Sequence, residues 1–83
     1  MLTIKVRFVA SELAPQLENG EYHVENGATV REAIAVCEEH CGAVVPEDNF
    51  KLMYPLFNGK PVQLDDTLCI DGKLYICRIV MGG

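Results

Sequence analysis

Apolar and polar residues alternate along the first eight residues of the chain. The apolar positions are Leu2, Ile4, Val6 and Phe8. A period of two over this length predicts a half-buried β-strand. The segment 21–25 alternates in the same way around Tyr22 and Val24 and predicts a second strand. Because the segment between them reads as a loop ending in Asn19-Gly20, we expect the two strands to form an antiparallel hairpin.

The clearest local signal is the start of a helix at Thr29. Thr29 and Glu32 have the spacing of a capping box, in which each side chain accepts a hydrogen bond from the backbone amide of the other residue. The apolar stripe that follows consists of Val30, Ala33, Ile34, Cys37 and Cys41. Gly42 is well placed to end the helix, so the pattern predicts about three helical turns.

The second half of the chain predicts shorter elements. In order, these are a loop (43–49), a strand (50–57), a short returning strand (61–64), a single turn of 3₁₀ helix (64–68) and a final strand (73–80). Pro55 either shortens its strand or places it at a sheet edge, because proline lacks the amide hydrogen that a central strand needs. Asn58-Gly59 and Asp71-Gly72 are turn signals.

This order of elements requires one helix to cover one face of a mixed sheet. The first and last strands are the most hydrophobic, so we expect them to lie side by side in its centre. The last strand offers two apolar sets, Leu74 with Ile76 on one face and Tyr75, Cys77 and Ile79 on the other. The set that does not pack on the helix is a candidate interface, unless the loop 43–50 folds over it.

The composition describes a small globular domain. The chain has 83 residues, of which 49% are hydrophobic and 23% charged. A domain of this size buries roughly 60–65% of the surface that its unfolded chain exposes. The core is therefore thin and leaves little room for a deep active site. This favours a binding or carrier module over an enzyme.

The charge balance narrows the choice of partners. Twelve acidic residues against seven Lys and Arg give a net charge of −5. Nucleic acids and anionic membranes attract basic surfaces, so we expect neither as a partner and favour a protein with a basic or mixed surface. The chain has no apolar run of transmembrane length, and its alternating start does not resemble a signal peptide. We expect a cytoplasmic protein.

The cysteines are Cys37, Cys41, Cys69 and Cys77. No two of them form a CxxC pair, and free thiols are the rule in the cytosol. Small buried apolar side chains are the interpretation we favour. A zinc site with His23 or His40 is the alternative, while the close cysteine runs of iron–sulfur proteins are absent from the sequence. We predict no metal site.

Several motifs match a known family. They lie at 4–8, 24–30, 57–62, 64–68 and 71–72, and at Gly82-Gly83 at the end of the sequence. Together with the order of elements, they resemble the ubiquitin-like β-grasp sulfur carriers of the MoaD/ThiS family over nearly the whole chain. The Gly-Gly pair directly after the last strand is the most specific of these motifs.

The resemblance implies a fold and a division of the chain. The fold would be α+β, a ubiquitin-like β-grasp with a mixed sheet of four to five strands and one main helix packed on one face. Residues 1–80 would form this domain. Residues 81–83 would form a flexible C-terminal tail.

The resemblance also implies chemistry at the end of the chain. An adenylating enzyme of the MoeB/ThiF type would use ATP to couple the Gly83 carboxylate to AMP, and a sulfur nucleophile would then convert it to a thiocarboxylate. The carrier would be a substrate rather than an enzyme and would bind no cofactor itself. Gly82, which has no side chain, would let the tail thread a narrow channel.

The receiving pathway stays open between several alternatives. Molybdopterin synthesis with a MoaE-like large subunit is the first expectation, although 78–81 lacks the Pro-Pro pair that many MoaD-like members carry before Gly-Gly. A ThiS-like carrier for a thiazole synthase, another sulfur-transfer pathway and a non-catalytic ubiquitin-like interaction module are the alternatives. The residues expected to bind the partner are Phe57, Tyr75, Cys77, Ile79, Val80 and Met81.

Overall fold

The computed structural model describes residues 1–80, which form five strands and two α-helices. The strands are β1 (Leu2–Phe8), β2 (Gly20–Val24), β3 (Met53–Phe57), β4 (Lys60–Pro61) and β5 (Gly72–Arg78). The helices are α1 (Val30–Cys41) and the single turn α2 (Glu47–Phe50), and a 3₁₀ turn spans Ser11–Leu13. Within these residues, no helix is both long and apolar enough to cross a membrane.

The strands form one mixed sheet in the order β2-β1-β5-β3-β4. β1 pairs with β2 in antiparallel fashion and with β5 in parallel. β5 also pairs with β3, and β3 with β4, both antiparallel. The predicted hairpin and the predicted central pair of first and last strands are therefore confirmed.

The core lies between the sheet and α1. Every second residue of β1 is buried, and the apolar stripe of α1 packs against these side chains. Ile4, Ile34, Leu74 and Ile76 are completely inaccessible to solvent. The 3₁₀ turn contributes Leu13, so part of the predicted loop 11–20 belongs to the core. The predicted α+β arrangement, with one main helix on one sheet face, is confirmed.

Helix α1 begins and ends as the sequence predicts. The Glu32 amide donates to Thr29 Oγ1 at 3.1 Å, and the Thr29 amide donates to Glu32 Oε1 at 2.9 Å. Gly42 adopts the left-handed conformation at φ 65°, which glycine tolerates without strain. Both ends of the helix are therefore fixed by local sequence.

The segment 64–66 completes the N-terminal cap of α1. The Val30 amide donates to the Asp66 carbonyl at 3.0 Å, and the Arg31 amide to the Leu64 carbonyl at 2.9 Å. The first amides of a helix have no partner inside the helix. This distant segment satisfies two of them. It forms a hydrogen-bonded turn, in which the Asp66 amide donates to the Gln63 carbonyl at 3.1 Å, rather than the predicted 3₁₀ turn.

The segment 43–57 differs from the prediction. The expected loop contains α2, and the expected strand begins only at Met53. Phe50 ends α2 buried beneath Arg31, whose guanidinium carbon lies 3.9 Å from the ring centroid. The Asn49 side-chain amide donates to the Leu13 carbonyl at 2.9 Å. These contacts are distant in sequence, so the local pattern does not reveal them.

Pro55 lies beside the shortest strand of the sheet. The Val62 amide donates to the Pro55 carbonyl at 3.1 Å. Since the nitrogen and carbonyl of one strand residue point to the same side, the proline nitrogen also faces β4. β4 ends at Pro61, so the returning strand is shorter than predicted and requires no donor from Pro55. Pro55 therefore neither ends β3 nor places it at the outer edge of the sheet, and it is tolerated because the paired part of β4 stops short of it.

We predict that Thr29→Ala lowers the free energy of unfolding by about 1 kcal/mol, because it removes the side-chain acceptor of the capping box. Urea denaturation would measure the change. Ser11→Ala is the control, since it removes an exposed hydroxyl outside the cap of α1. An equal loss in both variants would contradict the capping role.

The capping box also predicts a pH dependence. Hydrogen bonds from the Thr29 amide and with its hydroxyl hold the pKa of Glu32 below its ordinary value. A lowered folded-state pKa stabilises the fold above the ordinary pKa of glutamate, and this contribution disappears as the pH falls through the lowered value. We expect Glu32→Gln to be less stable than the wild type at neutral pH, with the gap narrowing in acid. A gap independent of pH in urea titrations would argue against this role.

Candidate functional site

The candidate site lies where the chain leaves the end of β5. The Ile79 amide donates to the Leu52 carbonyl at 2.8 Å, which extends the pairing beyond the strand. The Arg78 guanidinium lies 3.6 Å from the Glu12 carboxylate, with both side chains about half exposed. Val80 follows with 90% of its surface exposed. The body of the protein therefore holds the chain up to Ile79 and presents the next residue to solvent.

Three predicted site residues lie outside the described part of the chain. These are Met81, Gly82 and Gly83. Their predicted roles in contact, threading and sulfur chemistry remain predictions. The structure does establish where the described chain ends, just beyond the end of β5, an internal strand of the sheet.

The face of the sheet opposite α1 is the open face, which we define by its outward-pointing strand residues. They are Thr3, Lys5 and Arg7 in β1, Glu21 and His23 in β2, Tyr54 and Leu56 in β3, and Lys73, Tyr75 and Cys77 in β5. Leu74 and Ile76, at alternate positions of β5, are fully buried under α1. Leu74 and Ile76 are therefore the apolar set that packs on the helix, and Tyr75 and Cys77 belong to the set that faces away from it.

The loop 43–50 does not cover the open face. The Val45 amide donates to Glu38 Oε2 at 2.7 Å, and the Val45 side chain is buried in the core. Arg31 of α1 forms an ion pair with Glu47. The loop therefore packs on the helix side, and the alternative in which it shields the apolar residues of the open face is wrong.

The residues predicted to bind the partner fall in three places. Tyr75 and Cys77 lie together on the open face, half exposed. Ile79 is half-buried and lines a groove with Phe50 and Met53 at the edge of the sheet. Val80 lies beyond both the open face and this groove. The structure therefore brings Tyr75 and Cys77 together and sets Ile79 and Val80 along the path of the departing chain.

Phe57 lies on the other side of the sheet. It packs against the core, and its ring occupies the space beside Gly72, where a Cβ would lie 2.6 Å from Phe57 Cζ. Gly72 is needed here because any side chain would collide with this ring. Phe57 is thus separated by the sheet from Tyr75 and Cys77, although its predicted contact with a partner remains untested.

Sequence reasoning missed two residues of the open face. Tyr54 pairs with Cys77 across β3 and β5, and Leu56 pairs with Tyr75. Tyr54 exposes 44% of its surface. Their alternation with Met53 and Pro55 was the available signal, but the whole segment 50–57 is apolar, so no face could be assigned from its pattern.

The open face also carries three of the cations of the chain. Lys5, Arg7 and Lys73 point outward from β1 and β5. The Lys5 ammonium lies 3.9 Å from the Glu21 carboxylate, but both groups are about 60% exposed, so the pair is weak. Among the described residues, neither Arg7 nor Lys73 forms an ion pair. The open face is therefore cationic although the protein is acidic.

The cysteines have different environments. Cys37 is buried in the core, and burial raises the pKa of its thiol to about 12. Cys41 is half-buried, and its sulfur accepts from the Glu18 amide at 3.3 Å. Cys69 is exposed. The favoured interpretation as buried apolar side chains thus applies to Cys37, while Cys69 contradicts it.

The described residues contain no group of three or more His, Cys, Asp or Glu side chains placed to hold a metal ion. His23 and His40 are exposed. The ring of His40 packs edge-on against Tyr22, with centroids 5.5 Å apart. The histidines are therefore surface residues.

We predict that the thiols react in the order of their exposure. At neutral pH, Cys69 should react with a maleimide at once, whereas Cys37 should react only on unfolding, because burial keeps its thiol protonated and inaccessible. Peptide mapping after timed labelling would measure this order. Cys69→Ser should remove the fastest phase, and labelling of Cys37 in the native protein would refute the assignment.

Three solved structures share this architecture over nearly their whole length. SAMP1 from Haloferax volcanii matches with a TM-score of 0.65 and 22% identity, covering 99% of this chain and 98% of that chain. A Pyrococcus furiosus protein described as "Putative molybdopterin converting factor, subunit 1" matches with a TM-score of 0.65 and 19% identity, covering 96% and 100%. A second structure of the Haloferax protein, as small archaeal modifier protein 1, gives 0.65 and 20%, covering 95% and 97%.

The comparisons by sequence add no match. No model of a protein family matches the chain, and no curated protein matches it significantly. The structural matches establish the fold, a five-stranded mixed sheet with one main helix that this chain shares with those proteins. The predicted β-grasp fold is therefore confirmed.

Proposed function

We propose that the protein is a sulfur carrier whose Gly83 carboxylate is adenylated by a partner enzyme and then converted to a thiocarboxylate. The observation that carries the proposal is the exposed Val80 at the end of β5, directly before Met81-Gly82-Gly83. A fold shared with a protein described as a molybdopterin converting factor subunit supports the same role.

The chemistry requires activation because a carboxylate is a poor electrophile. In the proposed first step, a Gly83 carboxylate oxygen attacks the α-phosphorus of ATP and releases pyrophosphate. In the second, sulfur at the oxidation level of sulfide, with hydrosulfide as the simplest form, attacks the carbonyl carbon of the acyl-adenylate. The carbon–oxygen bond to AMP breaks, AMP leaves, and loss of the sulfur-bound proton gives the thiocarboxylate. Both steps belong to the partner enzyme, so the carrier needs no catalytic side chain of its own.

The globular body supplies a rigid starting point for the tail. β5 is held by β1 on one side and by β3 on the other. The hydrogen bond of Ile79 to Leu52 fixes the last residue before Val80. A carboxylate on a short segment beyond such an anchor is confined to a small volume, which lowers the entropic cost of placing it in a partner's active site. Gly82 would allow that segment to enter a narrow channel.

The proposed partners follow from this role. A MoeB/ThiF-like enzyme would adenylate the carrier, consuming ATP. A MoaE-like large subunit would receive the sulfur in molybdopterin synthesis, and the Pyrococcus neighbour supports this acceptor. A thiazole synthase-like acceptor is the alternative.

A second candidate function follows from the Haloferax neighbours, which are described as a small archaeal modifier protein. A modifier would use the same activated Gly83 carboxylate but transfer it to an amino group of another protein. The product would be an amide bond between two chains rather than a thiocarboxylate. A non-catalytic interaction module would form neither product.

We predict that co-expression with the adenylating enzyme of the same genome yields carrier whose mass has increased by the exchange of one oxygen for sulfur. Deletion of Gly83 should abolish this species and leave the thermal unfolding midpoint unchanged, since the described core ends before it. Val44→Ala is a control, because Val44 is exposed in the loop after α1. Intact-mass spectrometry measures the product.

Three results would separate the candidates. An amide-linked conjugate through Gly83 would favour the modifier. Absence of both products, with no ATP–pyrophosphate exchange that depends on Gly83, would leave the interaction module. Residues beyond Gly83 in the protein isolated from its source would contradict the proposal unless they are removed to expose the Gly83 carboxylate.

A further inference from the structure

We propose that the open face docks onto a protein surface that is acidic around an apolar centre. The inference rests on the proposed function, in which the adenylating enzyme is the partner that would carry this surface. The net charge of −5 favours a partner that is basic or mixed. The distribution of charge in the fold, by contrast, favours a partner whose surface is acidic where it contacts the open face.

The charges of the open face differ from those of the whole protein. Twelve acidic and seven basic residues make up the chain. On the open face, Lys5, Arg7 and Lys73 stand against Glu21, and Asp71 adjoins them just before β5, where its carboxylate accepts from the Thr3 amide at 2.9 Å. The acidic residues therefore lie almost entirely elsewhere, on α1 and in the loops.

Two of the cations are direct neighbours. Lys5 of β1 is in register with Lys73 of β5. Neighbouring strands lie about 4.8 Å apart, and like charges directly opposite each other destabilise a sheet. Glu21 contacts Lys5 only at 3.9 Å, and Lys73 has no ion pair among residues 1–80. Asp71 lines the hollow between the two lysines, but its carboxylate is bound to the Thr3 amide and forms an ion pair with neither of them. A carboxylate from a partner would relieve this repulsion.

An apolar cluster lies next to the cations. Arg7 is in register with Tyr75, and Tyr75 with Leu56. Tyr54 and Cys77 form the next pair towards the end of β5. Aromatic side chains beside arginine are typical of the centres of protein interfaces. The cluster adjoins the end of β5, from which the chain continues to Val80.

The cations and the apolar cluster of the open face together define where the partner should place its own groups. Lys73 and Cys77 are four residues apart on one strand, which corresponds to about 13 Å. A shallow hollow of about 390 Å³ lies at the cationic end, between Lys5, Arg7 and Tyr75. The partner should therefore place apolar side chains near the entrance of its tail channel and carboxylates about 13 Å further away.

The opposite side of the protein reinforces this orientation. Glu32 and Glu39 of α1 line a groove together with Glu25. A protein with one acidic and one cationic side is turned by the field of an acidic partner so that its cationic side approaches first. The open face also presents few cations for a polyanion, and the net negative charge repels phosphates, so a protein partner is favoured over a nucleic acid.

The test is a charge reversal on the open face. The double variant Arg7→Glu/Lys73→Glu should raise the Kd for the adenylating enzyme by about tenfold or more and weaken its salt dependence. Lys51→Glu/Lys60→Glu is the matched control, since it changes the net charge equally but at exposed residues outside the open face. The control should bind almost as the wild type does. Calorimetric titration without ATP would measure Kd, and thermal unfolding would verify the fold of each variant.

Each outcome decides the inference. Equal weakening in both folded double variants, or none in Arg7→Glu/Lys73→Glu, would overturn it, as would a wild type that does not bind the enzyme. Binding of a single-stranded oligonucleotide that depends on Arg7 and Lys73 would assign the face to a nucleic acid instead. Wild-type protein that binds the enzyme but supports no ATP–pyrophosphate exchange would refute the carrier function, while the Kd values would still test the docking surface.

Discussion

The parallel pairing of β1 with β5 is the constraint on which the rest of the molecule depends. It joins the two ends of the described chain in the interior of one sheet. The buried sides of both strands form the centre of the core with α1. Parallel strands require a crossover, and here the crossover contains α1, the loop 43–50 and the β3–β4 hairpin. The position of every other element follows from this pair.

The same pairing produces the two properties that matter for function. Because β5 is internal, the chain leaves the sheet from a strand held on both sides, so its final residues begin at a rigid point. Because β1 lies beside β5, Lys5 is placed next to Lys73 and Arg7 next to Tyr75. An anchor for the tail and a surface for its partner therefore arise from one set of backbone hydrogen bonds.

Distant contacts explain where local prediction failed. The capping box and Gly42 define α1 within a few residues, so the sequence pattern was sufficient there. The segment 64–66 takes its shape from the amides of Val30 and Arg31, which lie more than thirty residues earlier. The helical turn that ends at Phe50 depends in the same way on Arg31 and on Leu13. Local periodicity contains no information about such partners.

The sequence by itself determined the main strands, the bounds of α1 and the Gly-Gly ending, because each depends on residues close together in the chain. It also determined the mixed sheet with its central pair, because the two most hydrophobic strands belong in the centre of the sheet. Only the tertiary structure decided that the loop 43–50 packs on the helix side, that Phe57 is separated from Tyr75 and Cys77, and that an acidic protein carries a cationic face. A net charge is a sum over residues, whereas a surface potential depends on which of them the register of the strands brings together.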